Sequence, residues 1–363
     1  MKKPMKIFLG IFGIVALIGI AFACLSLYAK KELEKPVFKL PDSAEEQAIT
    51  PLPSSKEEAF EYVNALFKDC VSADDIELSE HNSVSLTGSE SETPFNGADA
   101  SVFSRVLEQV GGKIDELYPV TENEPITKLK TVPSLGFTGA DVTDFTAEIG
   151  YTTEEGETED DGYYYITLTL KPEAMNTAAM LKSDISKKVV KELEPMLSVS
   201  DAELFPEEFT ASFKIRYSTD SLEHVELCKK LSVKSTVEFT DDYKALSEKE
   251  VKLTVPFEKT QSIDLFRYGL HFYERQTALQ TGDTMALPLD VRVNSEASKE
   301  NYKLSFKTSQ EGVLSINADG VMEAVAASEK PVTVTAVLEY NGHTYTDSIA
   351  VYATNLEVKT DEP

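Results

Sequence analysis

Cysteine is scarce in this chain, with three residues in 363. Cys24 lies inside an apolar run, which leaves Cys70 and Cys228. In an exported protein those two can form a disulfide, but nothing in the sequence places them together, so the pairing stays open. No Cys-x-x-Cys pattern exists, and this removes zinc-ribbon and thioredoxin-like readings. Histidine is equally thin: His81, His224, His271 and His343 are scattered, and none sits in a His-Glu-x-x-His or similar ligand pair. Phosphate loops, dinucleotide fingerprints and nucleophile elbows are missing. The carboxylates are many and evenly spread, so they single out no glycosidase pair. The expectation is a non-catalytic chain with no metal and no cofactor.

Positive charge is the next shortage. Lys2, Lys3, Lys6, Lys30 and Lys31 precede every acidic residue, and the chain after them holds 62 acidic against 30 basic residues, a net of −32. Such a body is repelled by nucleic-acid phosphates and by anionic lipid headgroups. Nucleic acid is therefore excluded as an expected partner, and the charge suits a soluble body held off a membrane surface.

One long hydrophobic run is present. Ile7–Tyr28 is 22 residues without a charge, and as a helix it would rise about 30 Å, the thickness of a bilayer's hydrocarbon core. Three fates fit it: an uncleaved signal anchor; a lipoprotein signal peptide, with Ile20-Ala21-Phe22-Ala23-Cys24 as a degenerate lipobox that would lipidate Cys24; or cleavage after Ala21-Phe22-Ala23. All three predict export, and the first two predict a membrane partner through the amino-terminal segment. Residues 1–31 are thus read as signal anchor or signal peptide. Residues 32–54, broken by Pro36, Pro41, Pro51 and Pro53, are read as a linker.

Residues 55–272 read as an α+β extracytoplasmic domain, an antiparallel sheet with packed helices. Phe60, Val63, Phe67 and Cys70 mark one helical face. An irregular loop is expected over 71–98, a second helix over Ala100–Tyr118 and a connector over 119–142. Phe145, Ala147, Ile149 and Tyr151 alternate as a strand, and Tyr163–Leu170 follows after an Asp161-Gly162 turn. The carboxylates of that turn match no EF-hand spacing and read as a solvated tip. Tyr163, Tyr164 and Tyr165 point to alternate faces, which suits strand packing. A long helix is predicted over 172–197, and three strands follow, centred on Phe213, Val233 and Val255. A sheet curved around that helix would leave an apolar groove lined by Leu181, Ile185, Val189, Phe213 and Ile215, an order of elements broadly similar to half-barrel lipid carriers.

Residues 273–358 carry a clearer pattern. Val313-Leu314-Ser315-Ile316-Asn317 leads to an Asp319-Gly320 turn and Val321-Met322-Glu323-Ala324-Val325, and then comes Val332-Thr333-Val334-Thr335-Ala336. Leu279–Thr284 resembles an opening strand and turn, and Thr344–Ala353 closes after Asn341-Gly342. Strands recurring every 8 to 12 residues with such turns make a sandwich. The stretch resembles the bacterial immunoglobulin-like domain of group 2, except that Ser328–Pro331 stands where that family usually has a glycine. The resemblance implies an all-β, extracytoplasmic, non-catalytic module used as a spacer or in adhesion. Residues 359–363 are a short tail.

The functional expectation is a bacterial membrane-anchored protein on the extracytoplasmic side, with a non-catalytic binding or display role toward an envelope polymer, lipid or protein ligand. The alternatives are a lipid-binding carrier lipoprotein and a surface adhesin or wall scaffold.

Overall fold

The computed structural model describes residues 37–41, 50–86, 90–91, 112, 118, 120–152, 158–181, 183, 187, 191, 194–244, 250–294 and 301–358. Ile7–Tyr28, Cys24 and almost all of the helix expected over 100–118 lie outside them. Among the described residues no helix is long and apolar enough to cross a membrane. They are mostly β-strand, in largely antiparallel sheets, with one long helix. The chain divides into two compact units, Glu46–Tyr268 on one hand and Met1–Glu45 with Gly269–Pro363 on the other.

A two-residue strand β1 (Val37–Phe38) comes first and belongs to the second unit. It pairs in parallel with the final strand, residues 357–358, and Phe38 rests on the ring of Tyr352 at 5.5 Å. Residues 37–41 are therefore docked, contrary to a plain spacer. The pair Val37-Phe38 supplies the apolar surface that does it.

In the Glu46–Tyr268 unit, helix α1 (Lys56–Ser72) opens the fold. Ser55 caps it by accepting a hydrogen bond from the Glu58 N–H, and Glu57 and Glu58 sit at the positive end of the helix dipole. Ala59, Val63, Phe67 and Cys70 are its buried face. Ser55→Ala should therefore cost about 1 kcal/mol of stability, read as a lowered urea midpoint.

The sheet is built from β2 (Ile76–Leu86), β3 (Glu90–Ser91), β4 (Thr121–Pro125), β5 (Val142–Thr152), β6 (Thr158–Leu170), β7 (Leu197–Arg216), β8 (Ser221–Phe239) and β9 (Val251–Arg267). Its antiparallel order is β4-β2-β9-β8-β7-β6-β5, with β3 continuing the line of β2 along β9. Helix α1 packs across β5, β6 and β8. Side chains alternate between faces, so Ile166 and Leu168 on β6, Ala211, Phe213 and Ile215 on β7, Val225 and Leu227 on β8, and Ile263 and Leu265 on β9 form one core beneath the helix.

Several expectations need correction here. The expected loop over 71–98 contains β2, an eleven-residue strand. The last three strands are far longer than their apolar centres suggested. The helix expected over 172–197 is interrupted: a 3-10 turn at Pro172–Ala174 leads to α2 (Thr177–Leu181), Ser183 is a bend, Lys187 and Lys191 are again helical, and strand begins at Leu197. The helix that lies over β5, β6 and β8 is α1. Cys70 is buried beneath it while Cys228 sits on the opposite face of β8, so both are free thiols.

The other unit has two sheets over a common core. One is β11 (Gln276–Gln280), β18 (His343–Thr354), β17 (Val332–Tyr340) and β14 (Tyr302–Thr308), in that order, with β11 parallel to β18. The second is β12 (Thr284–Ala286), β16 (Val321–Ala324) and β15 (Leu314–Ile316). Alternate residues Val332, Val334 and Ala336 on β17 and Ile349, Val351 and Ala353 on β18 face Leu314, Met322 and Ala324 of the second sheet. The strands β10 (Gly269–Phe272) and β13 (Leu289–Arg292) pair alongside, and β19 (Glu357–Val358) is the partner of β1. The unit thus begins at Gly269, four residues before the expected boundary. Asn341 and Gly342, both at positive φ, make the β17–β18 turn.

Asp347 ties this unit together. Its carboxylate accepts from the backbone N–H of Phe272 at 2.8 Å and of Ser348 at 2.8 Å, and from Arg275 Nη1 at 2.6 Å. Burial pulls its pKa upward, but those donors hold it below the ordinary carboxylate value. Asp347→Ala removes the acceptor shared by a guanidinium and two N–H groups, and should cost about 2–3 kcal/mol in a denaturant titration. The wild-type contribution is present above pH ~4 and fades as the pH falls through the lowered native pKa.

Candidate functional site

The inner face of the Glu46–Tyr268 sheet is apolar row after row until it reaches one patch. Register places Phe213, Val225, Ile263 and Glu80 in one row across β7, β8, β9 and β2. Ala211, Leu227, Gln261 and Asn82 form the next, and Phe209, Lys229, Lys259 and Val84 the one after. Five polar side chains therefore interrupt a core-facing surface at neighbouring positions.

They are organised in two parts. Glu80 Oε1 accepts from Gln261 Nε2 at 2.9 Å and from Asn82 Nδ2 at 3.2 Å. Asn82 is 5% exposed, while Glu80 and Gln261 are half-buried and face the cavity. Beside it Lys229 and Lys259 are direct cross-strand partners, whose Cβ atoms in such a pair stand ~5 Å apart. Like charges so placed repel. The Lys229 ammonium lies 4.9 Å from the Phe209 ring centroid and that of Lys259 lies 4.2 Å from the Tyr118 ring. Among the described residues neither makes an ion pair. Burial lowers the pKa of Lys229. Burial and then the neighbouring Lys229 push Lys259 down to about 8, with Glu80 opposing.

A strap of chain roofs the patch. Edge strand β4 is pinned to β2 where the Asn123 N–H donates to Ser79 Oγ at 3.0 Å. From there residues 126–136 run back over the sheet, anchored by Ile126 and Leu135, which are buried in the main core. Between strap and sheet lies a cavity of about 1130 Å³. Glu80, Leu227, Lys229 and Gln261 line its floor, and Glu122, Glu124, Lys128, Leu129, Lys130, Val132 and Leu135 are among its other walls. Apolar side chains share the lining with three lysines, Lys128, Lys130 and Lys229, and three carboxylates, Glu80, Glu122 and Glu124, so the space is of mixed polarity and balanced charge. No group of three or more His, Cys, Asp or Glu able to hold a metal occurs among the described residues.

The residues named from sequence fall elsewhere. Phe213 and Ile215 are fully buried in the main core. The side chains of Leu181, Ile185 and Val189 lie outside the described residues, as does Cys24. Tyr164 is buried, whereas Tyr163 and Tyr165 take the other face and stack with Lys214, at 4.0 and 5.5 Å from their ring centroids. Asp160 and Asp161 at the β5–β6 turn accept hydrogen bonds from Tyr217 and Tyr165. None of the five polar residues of the patch, of which Glu80, Lys229 and Gln261 line the cavity, was singled out from sequence. Their signal was a lapse of alternation at inward positions of three strands.

No protein-family model matches this chain, and no curated protein matches it.

Proposed function

We propose that this chain is a non-catalytic binding protein of the bacterial cell envelope, tethered by Ile7–Tyr28 with its acidic body on the extracytoplasmic side. The Glu46–Tyr268 unit is the ligand-binding part, and the unit beginning at Gly269 serves as an immunoglobulin-like spacer or display module. The observation that carries the binding role is the roofed cavity, whose floor sets the polar side chains of Glu80, Lys229 and Gln261 into an otherwise apolar sheet face. The uncharged run and the net charge of −32 behind it support the location. The paired sheets with a parallel first strand, and the turns at Asp319-Gly320 and Asn341-Gly342, support the immunoglobulin-like reading.

The apolar walls Leu129, Val132, Leu135 and Leu227 favour a second reading, a carrier of lipid in this cavity rather than beside the 172–197 segment.

Two fractionations test the proposal. The protein should sediment with membranes through a carbonate wash, and protease added to intact cells stripped of wall should digest the body. Full-length protein in the soluble cytoplasmic fraction, protected until lysis, would contradict it.

A further inference from the structure

Residues 37–41 precede the Glu46–Tyr268 unit in the chain yet belong to the other one. Three strands hold them there. Val37 and Phe38 pair in parallel with Glu357 and Val358 of β19. Phe38 rests on Tyr352 of β18, with ring centroids 5.5 Å apart, and Gln276 Nε2 of β11 donates to the Pro41 carbonyl at 2.7 Å. The chain is next pinned at Thr50, whose Oγ1 donates to Asp220 at 2.6 Å and whose carbonyl accepts from the Tyr164 hydroxyl at 2.9 Å, all within the Glu46–Tyr268 unit. In chain order, Glu46–Tyr268 is therefore an insertion into a unit whose first strand is β1.

This order decides which unit a tether ending at Tyr28 reaches first. From Tyr28 to Val37 is nine residues, which extend to ~30 Å at most. From Tyr28 to Thr50 is 22 residues, or ~75 Å. Charge follows the same division. Met1–Glu45 and Gly269–Pro363 together hold 18 acidic and 14 basic residues, a net of −4, whereas Glu46–Tyr268 holds 44 and 21, a net of −23. Repulsion from an anionic lipid surface is felt within a Debye length, ~8 Å at physiological salt. The near-neutral unit is the one that tolerates such a surface.

We propose that the β1–β19 pairing is a clasp that makes the Gly269–Pro363 unit the juxtamembrane part of the protein, held beside the lipid surface by the nine-residue connection. This rests on reading Ile7–Tyr28 as the tether and adds which unit the tether positions.

The test uses the full chain. Flotation with phosphatidylcholine liposomes reads the tether, and energy transfer in nanodiscs of the same lipid reads the placement. The donor is attached through a genetically encoded azide at exposed Asn355, two residues before β19. The acceptor sits on lipid headgroups, and the pair has a half-transfer distance of about 30 Å, matching the reach of the connection. Transfer should exceed half in the otherwise native chain. It should fall at least two-fold when Val37→Asp and Phe38→Asp break the clasp. A Gly-Ser insertion of about 20 residues between Pro36 and Val37, which leaves the clasp intact, should lower it as well, and it carries the test if the aspartate variant folds poorly. Protein that floats but shows transfer below half, or transfer unchanged by both alterations, overturns the placement and leaves the tether standing. Protein that does not float overturns the tether reading and the placement with it.

Discussion

Phe213→Ala should destabilise the Glu46–Tyr268 unit by about 3–5 kcal/mol. Phe213 sits on β7 with Ile166 and Val225 as its cross-strand neighbours, and it is 1% exposed. Strands flank β7 on both sides, so the backbone cannot move in to fill the space, and the loss combines transfer and cavity terms. Urea titration should show the midpoint falling by more than about 1 M with an unchanged slope. The size of the effect also separates two pictures of this face. Were Phe213 and Ile215 the wall of an open groove, truncation would enlarge a space already present. The cost would then be under about 1 kcal/mol.

Lys259→Met should make the protein more stable at neutral pH and remove a pH dependence. With its native pKa pushed down to about 8, Lys259 loses its proton in the folded chain before it does so in the unfolded one, where the value is ~10.4. The unfolded state then binds more protons between about pH 8 and 10, so wild-type stability rises with pH across that window. Below pH ~8 the charged, desolvated side chain costs its full penalty. After discounting for partial exposure that penalty is about 2 kcal/mol. The methionine variant should be more stable by that amount at pH 7, and the difference should vanish toward pH 10. Tyrosine ionisation acts in both proteins and drops out of the comparison. Equal stabilities at pH 7 would mean that Lys259 is well solvated.

The amino-acid pattern showed a good deal of this fold, and it broke down where the site lies. Helix α1 was legible because Phe60, Val63, Phe67 and Cys70 repeat at helical spacing behind a serine cap. The β15–β18 region was legible because its inward positions are Val, Ala, Leu, Ile or Met and its turns are Asp-Gly and Asn-Gly. Strand β2 was not legible. Its inward positions read Ile76, Leu78, Glu80, Asn82, Val84, Leu86, and the two polar residues in the middle erase the alternation. Lys259 and Gln261 shortened the apparent β9 in the same way, and Lys229 that of β8. Strands pack hydrophobic residues inward except where a cavity needs something else, so the failures of pattern trace the polar floor. The predicted 172–197 helix is present in Thr177–Leu181 and at Lys187 and Lys191 but is interrupted. Apolar residues at helical spacing do not reveal a bend at Ser183.

The most direct measurement is a pH titration of the lysine side chains by NMR, using the reductively ¹³C-methylated protein and its K259M variant. The account predicts one resonance titrating near pH 8, absent from K259M, and a second, from Lys229, titrating below the surface lysines. If every lysine titrates together above pH 10, the ammonium groups of Lys229 and Lys259 stand in water, and the sheet face holds no desolvated polar patch.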